Sequence, residues 1–350
     1  MMDHAKKAPR RAVKHYVLFD RIDIQDANAI SSPITYGFPA VSGFLGAVHS
    51  LNRDIELGHP GIVGEATDSK LPPDIAENMN LDGVLITCHD YRLHCFRPHR
   101  YADYTFNQTR NPIKKNGETA SIIEQGRINL TISLVVEIAS SGRSSQWLNS
   151  ERNQKLFSKI LHHRLMQKRI AGGSVTSIRQ TALFMAGCEN EILKCLLPGF
   201  VLNEARGELE SITRELQTER PDATAFDALI DLATLHHEPP EHDRNDASNA
   251  ESAETRKWTT KNRRQGRGWL VPMAMGYQSI SPEFGPNELE NASFPHYPSQ
   301  YVEVIYGLGK WVFPTKVASM ENSFWRYQAH QPDPQNHPDY RLYLGTQSKK

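Results

Sequence analysis

Along the chain, apolar and polar positions repeat first with a period of two and then with a period near 3.6. Residues 15–25 set Tyr16, Leu18 and Asp20 against Val17, Phe19 and Arg21, which predicts a buried or half-buried strand. From Pro39 onward Val41, Phe44, Leu45, Val48, Leu51 and Ile55 recur at helical spacing, with Gly58 beyond them. Proline suits a first turn and glycine a stop, so a helix with one core face is predicted. Between strand and helix, residues 26–38 form a polar, small-residue loop carrying Asn28, Ser31, Ser32 and Thr35. Loops in such places often carry function.

Residues 83–96 and 127–138 are rich in Val, Ile, Leu and Thr and predict two further strands. The insert between them, 97–126, is longer than a hairpin needs. It interleaves Arg97, Arg100, Arg110, Lys114 and Lys115 with Tyr101, Tyr104 and Phe106, which predicts a projecting arm. A helix is predicted over 151–168, where Leu156, Ile160, Leu161 and Leu165 share a face; Ala171-Gly172-Gly173 ends it before a β-branched stretch at 175–178. The resulting order, βαββαβ, is that of the ferredoxin-like or RRM-like unit of the α+β class, with two helices on one side of an antiparallel sheet. So widespread a fold fixes no function.

The predicted organisation is an RRM-like domain at 14–186 with its arm at 97–126, and then a helical segment at 187–235 whose two helices break near Pro221. Residues 236–256, dense in Pro, Asp, Glu, Asn and Ser, predict a flexible acidic loop. Residues 257–347 return to order as strands around 269–277, 301–313 and 324–327. No internal repeat is evident.

Composition narrows the picture only modestly. At 350 residues and 39% hydrophobic content the chain is long enough for one large core or two modest ones. No apolar run approaches a bilayer span, and residues 1–14 are basic without an adjoining apolar stretch, so a cytoplasmic protein is expected. Four cysteines, Cys88, Cys95, Cys188 and Cys195, form no C-x-x-C pair and suit a reducing compartment. The 40 basic side chains balance 40 acidic ones, so no long-range field drawing in nucleic acid is expected. Charge is locally segregated all the same: Arg256, Lys257, Lys261, Arg263, Arg264 and Arg267 form an acid-free run after the acidic stretch.

The usual catalytic signatures are missing. There is no P-loop, no complete dinucleotide fingerprint around Gly266-Arg267-Gly268, and no nucleophile elbow. Residues 88–95 tempt a metal reading, but Cys88 and Cys95 stand an odd number of residues apart, which on a strand places them on opposite faces. His89-Asp90 and His242-Asp243 read as incidental pairs. His162-His163 on a helix splay about 100° apart, so at most one serves any site; neither a metal nor a cofactor is expected. The basic-aromatic signature of a sheet-face RNA reader is absent too. RNA chemistry is offered instead by the 28–35 loop, by the arm through Arg127, and by Arg263, Arg264, Arg267 and Trp269, where guanidinium forks meet a ring. Trp269 stands in an apolar strand context, Trp-Leu-Val-Pro, which favours core packing.

The stretch 26–46, Asp-Ala-Asn-Ala-Ile-Ser-Ser-Pro-Ile-Thr-Tyr-Gly-Phe-Pro-Ala-Val-Ser-Gly-Phe-Leu-Gly, resembles the N-terminal signature of the Csy-two family, the type I-F branch of the Cas-five group. Similarity continues in order at 111–117, 125–127, 197–200, 266–272, 301–314 and 324–327. The basic first dozen residues and the acidic segment have no place in that pattern. The resemblance implies an RRM-like, non-catalytic subunit of a CRISPR surveillance complex. Such a subunit caps the 5′ handle of the guide RNA and pairs with the large subunit beside the repeated backbone subunits, with target DNA a further candidate contact. It identifies the 97–126 arm with the thumb of the group. Physical reading assigns handle phosphates to the arm and to Arg263, Arg264 and Arg267, and bases or ribose to Asn28, Ser31 and Ser32; Arg326, in the Phe-Trp-Arg-Tyr landmark, joins the candidates. Two rivals stand beside this reading: a metal-independent endoribonuclease acting on repeat RNA, and a protein scaffold without direct RNA readout.

Overall fold

The computed structural model describes residues 13–56, 71–239, 258–332 and 339–347. The expected acidic loop from residue 240 onward, His242-Asp243, the helix stop at Gly58, and Arg256 and Lys257 lie outside them. The chain is a mixed α/β structure dominated by one large antiparallel sheet, with seven α-helices among the described residues.

The first half builds four long strands and two packing helices. β1 (Val13–Asn28) leads through the short strands β2 (Ile30–Ser32) and β3 (Thr35–Tyr36) to α1 (Val41–Glu56). A one-turn α2 (Pro73–Ala76) precedes β4 (Met79–Phe96); β5 (Thr105–Arg110) and β6 (Ile122–Gln125) pair with each other in the arm, and β7 (Arg127–Ser140) returns. Then come α3 (Gly142–Leu148), α4 (Glu151–Met166), β8 (Arg169–Ile170) and β9 (Gly173–Met185). The long strands lie in the order β4-β7-β1-β9, each antiparallel to its neighbours.

The second half is not a separate layer. After α5 (Glu189–Cys195), β10 (Phe200–Glu204) pairs with β4 at Phe200↔Cys88 and Val201↔Thr87. Next stand α6 (Arg206–Glu219), α7 (Ala225–Ala233) and a small ribbon of β11 (His236–Glu238) with β12 (Thr259–Lys261). β13 (Trp269–Ser279), β14 (Val302–Val312), β15 (Arg326–His330) and β16 (Leu342–Thr346) then extend the same sheet beyond β10.

Alternation along β1 explains both of its buried faces. Val17, Phe19, Ile22 and Ile24 join Val41, Phe44, Val48 and Leu51 of α1 and Phe157, Leu161 and Leu165 of α4 in the main core. Tyr16 and Leu18 point the other way, onto Ile192 of α5, Leu196 just beyond it, Met320 and Phe324. The apolar run Leu134-Val135-Val136 of β7 is buried throughout because helices cover one side and this second cluster covers the other. On α4 the buried face is Phe157, Leu161 and Leu165, an i, i+4, i+8 row, while Leu156 and Ile160 stay half-buried at its edge. Gly43 of α1 lies against Ala171 in the turn between β8 and β9, where a Cβ would sit 3.0 Å from the Ala171 Cα. That close approach carries the helix over the end of the sheet.

Candidate nucleic-acid interface

The polar loop and the root of the arm form one unit. Ala29 N donates to Gly126 O at 3.0 Å and Gly37 N to Ala29 O at 2.8 Å. Tyr36 meets Phe106 of β5 with ring centroids 5.0 Å apart, and a Cβ at Gly126 would overlap Ile30. Within the loop, Asn28 closes on Ile30: its Nδ2 donates to Ile30 O (2.8 Å) and its Oδ1 accepts from Ile30 N (3.1 Å). Ser32 Oγ accepts from Ile34 N and Thr35 N, and both Ser31 and Ser32 bond the Thr35 hydroxyl. These polar side chains therefore shape the turn, with Ser32 buried and Asn28 exposed at its edge. Arg127 ties the two ends together, donating to Gln125 Oε1 (2.9 and 3.0 Å) and to Asp26 O (3.2 Å).

Further out, the arm presents cations and rings to solvent. Arg97 lies over Tyr104, 5.0 Å from its centroid, and Arg100 over Tyr101 at 6.0 Å. Tyr101 is 88% and Tyr104 66% exposed, so each ring keeps one face open for a base. Lys114 pairs loosely with Glu118 at 3.6 Å, and Lys115 is exposed. Arg110 ends β5.

The run ahead of β13 has a different fate. Arg263 is ion-paired with Glu219 at 2.8 Å and with Asp231. Arg264 Nε donates to Leu232 O at 2.7 Å. Arg267 bonds Glu215 at 2.6 Å and faces Glu208 at 3.7 Å. All three are drawn onto α6 and α7, whose acids face the run. Trp269 is not in the core: it is 53% exposed, edge-on to Phe200 at 5.8 Å. Its cross-strand neighbour Trp311 takes the packing role against Phe38 at 4.9 Å. Arg326 departs furthest from a surface contact. Its side chain is 4% exposed, Nε donates to Glu137 Oε2 at 2.8 Å, and Nη1 to Phe324 O at 3.2 Å. A Cβ at Gly83 would collide with that Glu137 carboxylate. Arg326 thus belongs to the interior, where a buried guanidinium is satisfied by a carboxylate and carbonyls.

One polar cluster has no counterpart among the predicted residues. On the sheet face away from α1 and α4, Asp20 is buried and accepts from Arg21 Nη1 (3.1 Å) and Ser133 Oγ (3.0 Å), and is ion-paired with Arg179. Arg21 Nη2 also donates to Leu197 O at 2.9 Å, beside the cis Leu197–Pro198 bond. His89 Nε2 stands 2.7 Å from Ser133 Oγ. Since that hydroxyl donates to Asp20, Nε2 carries the proton and Nδ1 does not. Burial, with the Arg21 charge next in weight, pushes the His89 pKa down to about 4. Residues 88–95 hold this histidine without any neighbouring metal-ligand set among the described residues. His162 bonds the Thr181 hydroxyl at 3.0 Å, while exposed His163 turns to Gln167, so the two imidazoles do not converge.

The family model described as CRISPR-associated protein (Cas_Csy2) matches residues 17–337. The chain is 32% identical over 342 residues to the "CRISPR-associated protein Csy2" of Pseudomonas aeruginosa (strain UCBPP-PA14), with 93% of each chain covered. Among the described residues no helix is long and apolar enough to cross a membrane. By the span of the one match and the identity of the other, the chain belongs to the Cas_Csy2 family of CRISPR-associated proteins.

Proposed function

We propose that this chain is a non-catalytic, RNA-binding subunit of the type I-F CRISPR effector complex, acting in the cytoplasm. It caps the 5′ handle of the guide RNA and pairs with the large subunit next to the repeated backbone subunits. The observation that carries this reading is the joined loop and arm: a polar turn bonded to the arm root at Ala29–Gly126, with Arg97–Tyr104 and Arg100–Tyr101 pairs exposed beyond it. Guanidinium groups answer phosphates, and open ring faces stack the splayed bases of a single strand. The strand order β4-β7-β1-β9 with α1 and α4 on one side supports a ferredoxin-like unit at its centre. RNA is then held by the arm and loops, because α5 and Phe324 cover part of the other sheet face.

The test is co-expression of the tagged chain with the other type I-F subunits and a repeat-spacer RNA. Two variants are compared, R97A/R100A/K114A/K115A in the arm and R263A/R264A/R267A in the ion-paired run. Loss of guide RNA from the arm variant, with the large subunit retained and the second variant unaffected, is the expected result. Unchanged RNA in the arm variant moves the handle elsewhere, and no co-purification at all sinks the assignment. The same preparation is expected to leave repeat RNA uncut; cleavage abolished by His162→Ala would replace this reading with a nuclease.

A further inference from the structure

Charge is segregated far more sharply than the zero net balance implies. Residues 141–188 hold eight Lys and Arg side chains against a single acid, Glu151. Much of this excess gathers on α4. Arg152, Lys155, Lys159 and His163 follow one another at intervals of three, four and four residues, the repeat that keeps side chains on one face of a helix. All four are exposed, and the burial of Phe157, Leu161 and Leu165 on the other face holds the stripe outward. Glu151 takes Lys155 at 2.6 Å, and beyond the helix Asp54 takes Lys168 at 2.6 Å. Arg152 and Lys159 keep no carboxylate partner among the described residues.

The character of the stripe defines its ligand. It is a straight, rigid row about 16 Å long at 1.5 Å per residue. Apart from the His163 imidazole at its end, which bonds Gln167, no aromatic ring is exposed on it, whereas proteins grip single strands by stacking bases on successive rings. Nor do hydroxyl or amide side chains interrupt the row from Arg152 to Lys159 to meet the 2′-hydroxyls by which RNA duplexes are recognised; Gln167 follows only beyond His163. A DNA duplex, with its bases stacked inside and phosphates along its outside, is complementary to a row of cations alone. We propose that the outer face of α4 binds the backbone of double-stranded DNA without regard to sequence. The stripe shares no residue with the arm or the polar loop, and the inference does not depend on handle capping.

The full chain, purified with whatever subunits and guide RNA accompany it, is titrated with a short fluorescent DNA duplex of arbitrary sequence across a salt series. In R152A/K155A/K159A the slope of log K against log salt is expected to shrink by about 2.7, from roughly 0.9 per phosphate contact. Guide RNA content and the thermal midpoint stay at wild-type values. The charge-conserving R152K/K155R/K159R keeps the wild-type slope. An unchanged slope in the alanine variant overturns the proposal, as does an equal loss in the charge-conserving one. Tighter binding of duplex RNA or single-stranded DNA than of duplex DNA overturns it as well, and so does loss of guide RNA in place of duplex binding. Should no guide RNA accompany the chain, handle capping fails while the duplex titration still reads the stripe.

Discussion

Two basic regions of the chain, the arm between β4 and β7 and the run ahead of β13, carry the same side chains and meet opposite surroundings. In the run, Arg263 and Arg267 find Glu208, Glu215 and Glu219 of α6 and Asp231 of α7 within ion-pair reach. In the arm, Arg97 and Arg100 lie over tyrosine rings, and Arg97 also donates to the Ala102 and Arg100 carbonyls. An arginine already bonded to carboxylates must break charged contacts to hold a phosphate, whereas Arg97 and Arg100, lying on rings with no carboxylate partner among the described residues, keep their charge uncompensated for a ligand. Basic composition alone therefore does not mark an RNA surface; the acids that folding brings near decide whether it is one.

The comparison breaks hardest at Arg326, the arginine most completely engaged within the protein. Arg326→Ala takes the guanidinium away from the buried Glu137 carboxylate, and chemical denaturation is expected to show a loss of about 3–5 kcal/mol. A loss under 1 kcal/mol would mean that the pair is not closed in solution. Next comes His89, held neutral first by its burial and then by the Arg21 charge beside it. Its pKa is depressed to about 4 in the folded chain, against about 6.5 when unfolded. The unfolded state binds the extra proton between those values, so stability present above pH 6.5 is lost as pH falls toward 4, by about 2 kcal/mol once solvent screening of the half-buried ring is allowed for. His89→Gln is expected to flatten that part of the stability–pH profile, and an unaltered profile would assign the acid sensitivity to other groups. Smaller again is Arg263→Ala, expected to lower stability by about 1–2 kcal/mol while leaving bound RNA alone. Smallest in stability are R97A and R100A, within about 0.5 kcal/mol of wild type. Their expected effect is on RNA retention and its salt dependence, and a large destabilisation with RNA retained would erase the contrast between the regions.

Much of the fold was legible in local pattern. The strands at 15–25, 83–96 and 127–138 and the helix from Val41 each lie within observed elements, because a period of two or 3.6 reflects one buried face whatever buries it. Less legible was the joining of the second half to the first, which runs through two residue pairs between β10 and β4, the Val84–Trp325 bridge and the Arg326–Glu137 ion pair. Landmarks such as Phe324-Trp325-Arg326 gave no sign that the arginine would turn inward. The basic excess over residues 141–188 lay open to a simple count of charges, and only the helix phase shows that part of it forms a stripe.

By itself, then, the sequence determined the family, the order of the central strands and helices along the chain, and the presence of an arm rich in cations and rings. Tertiary structure alone decided which cations remain available. Periodicity is a property of neighbours in the chain, whereas the fate of a charge depends on carboxylates brought near from far along it, as Glu137 is to Arg326, 189 residues apart. Only folding sets those distances.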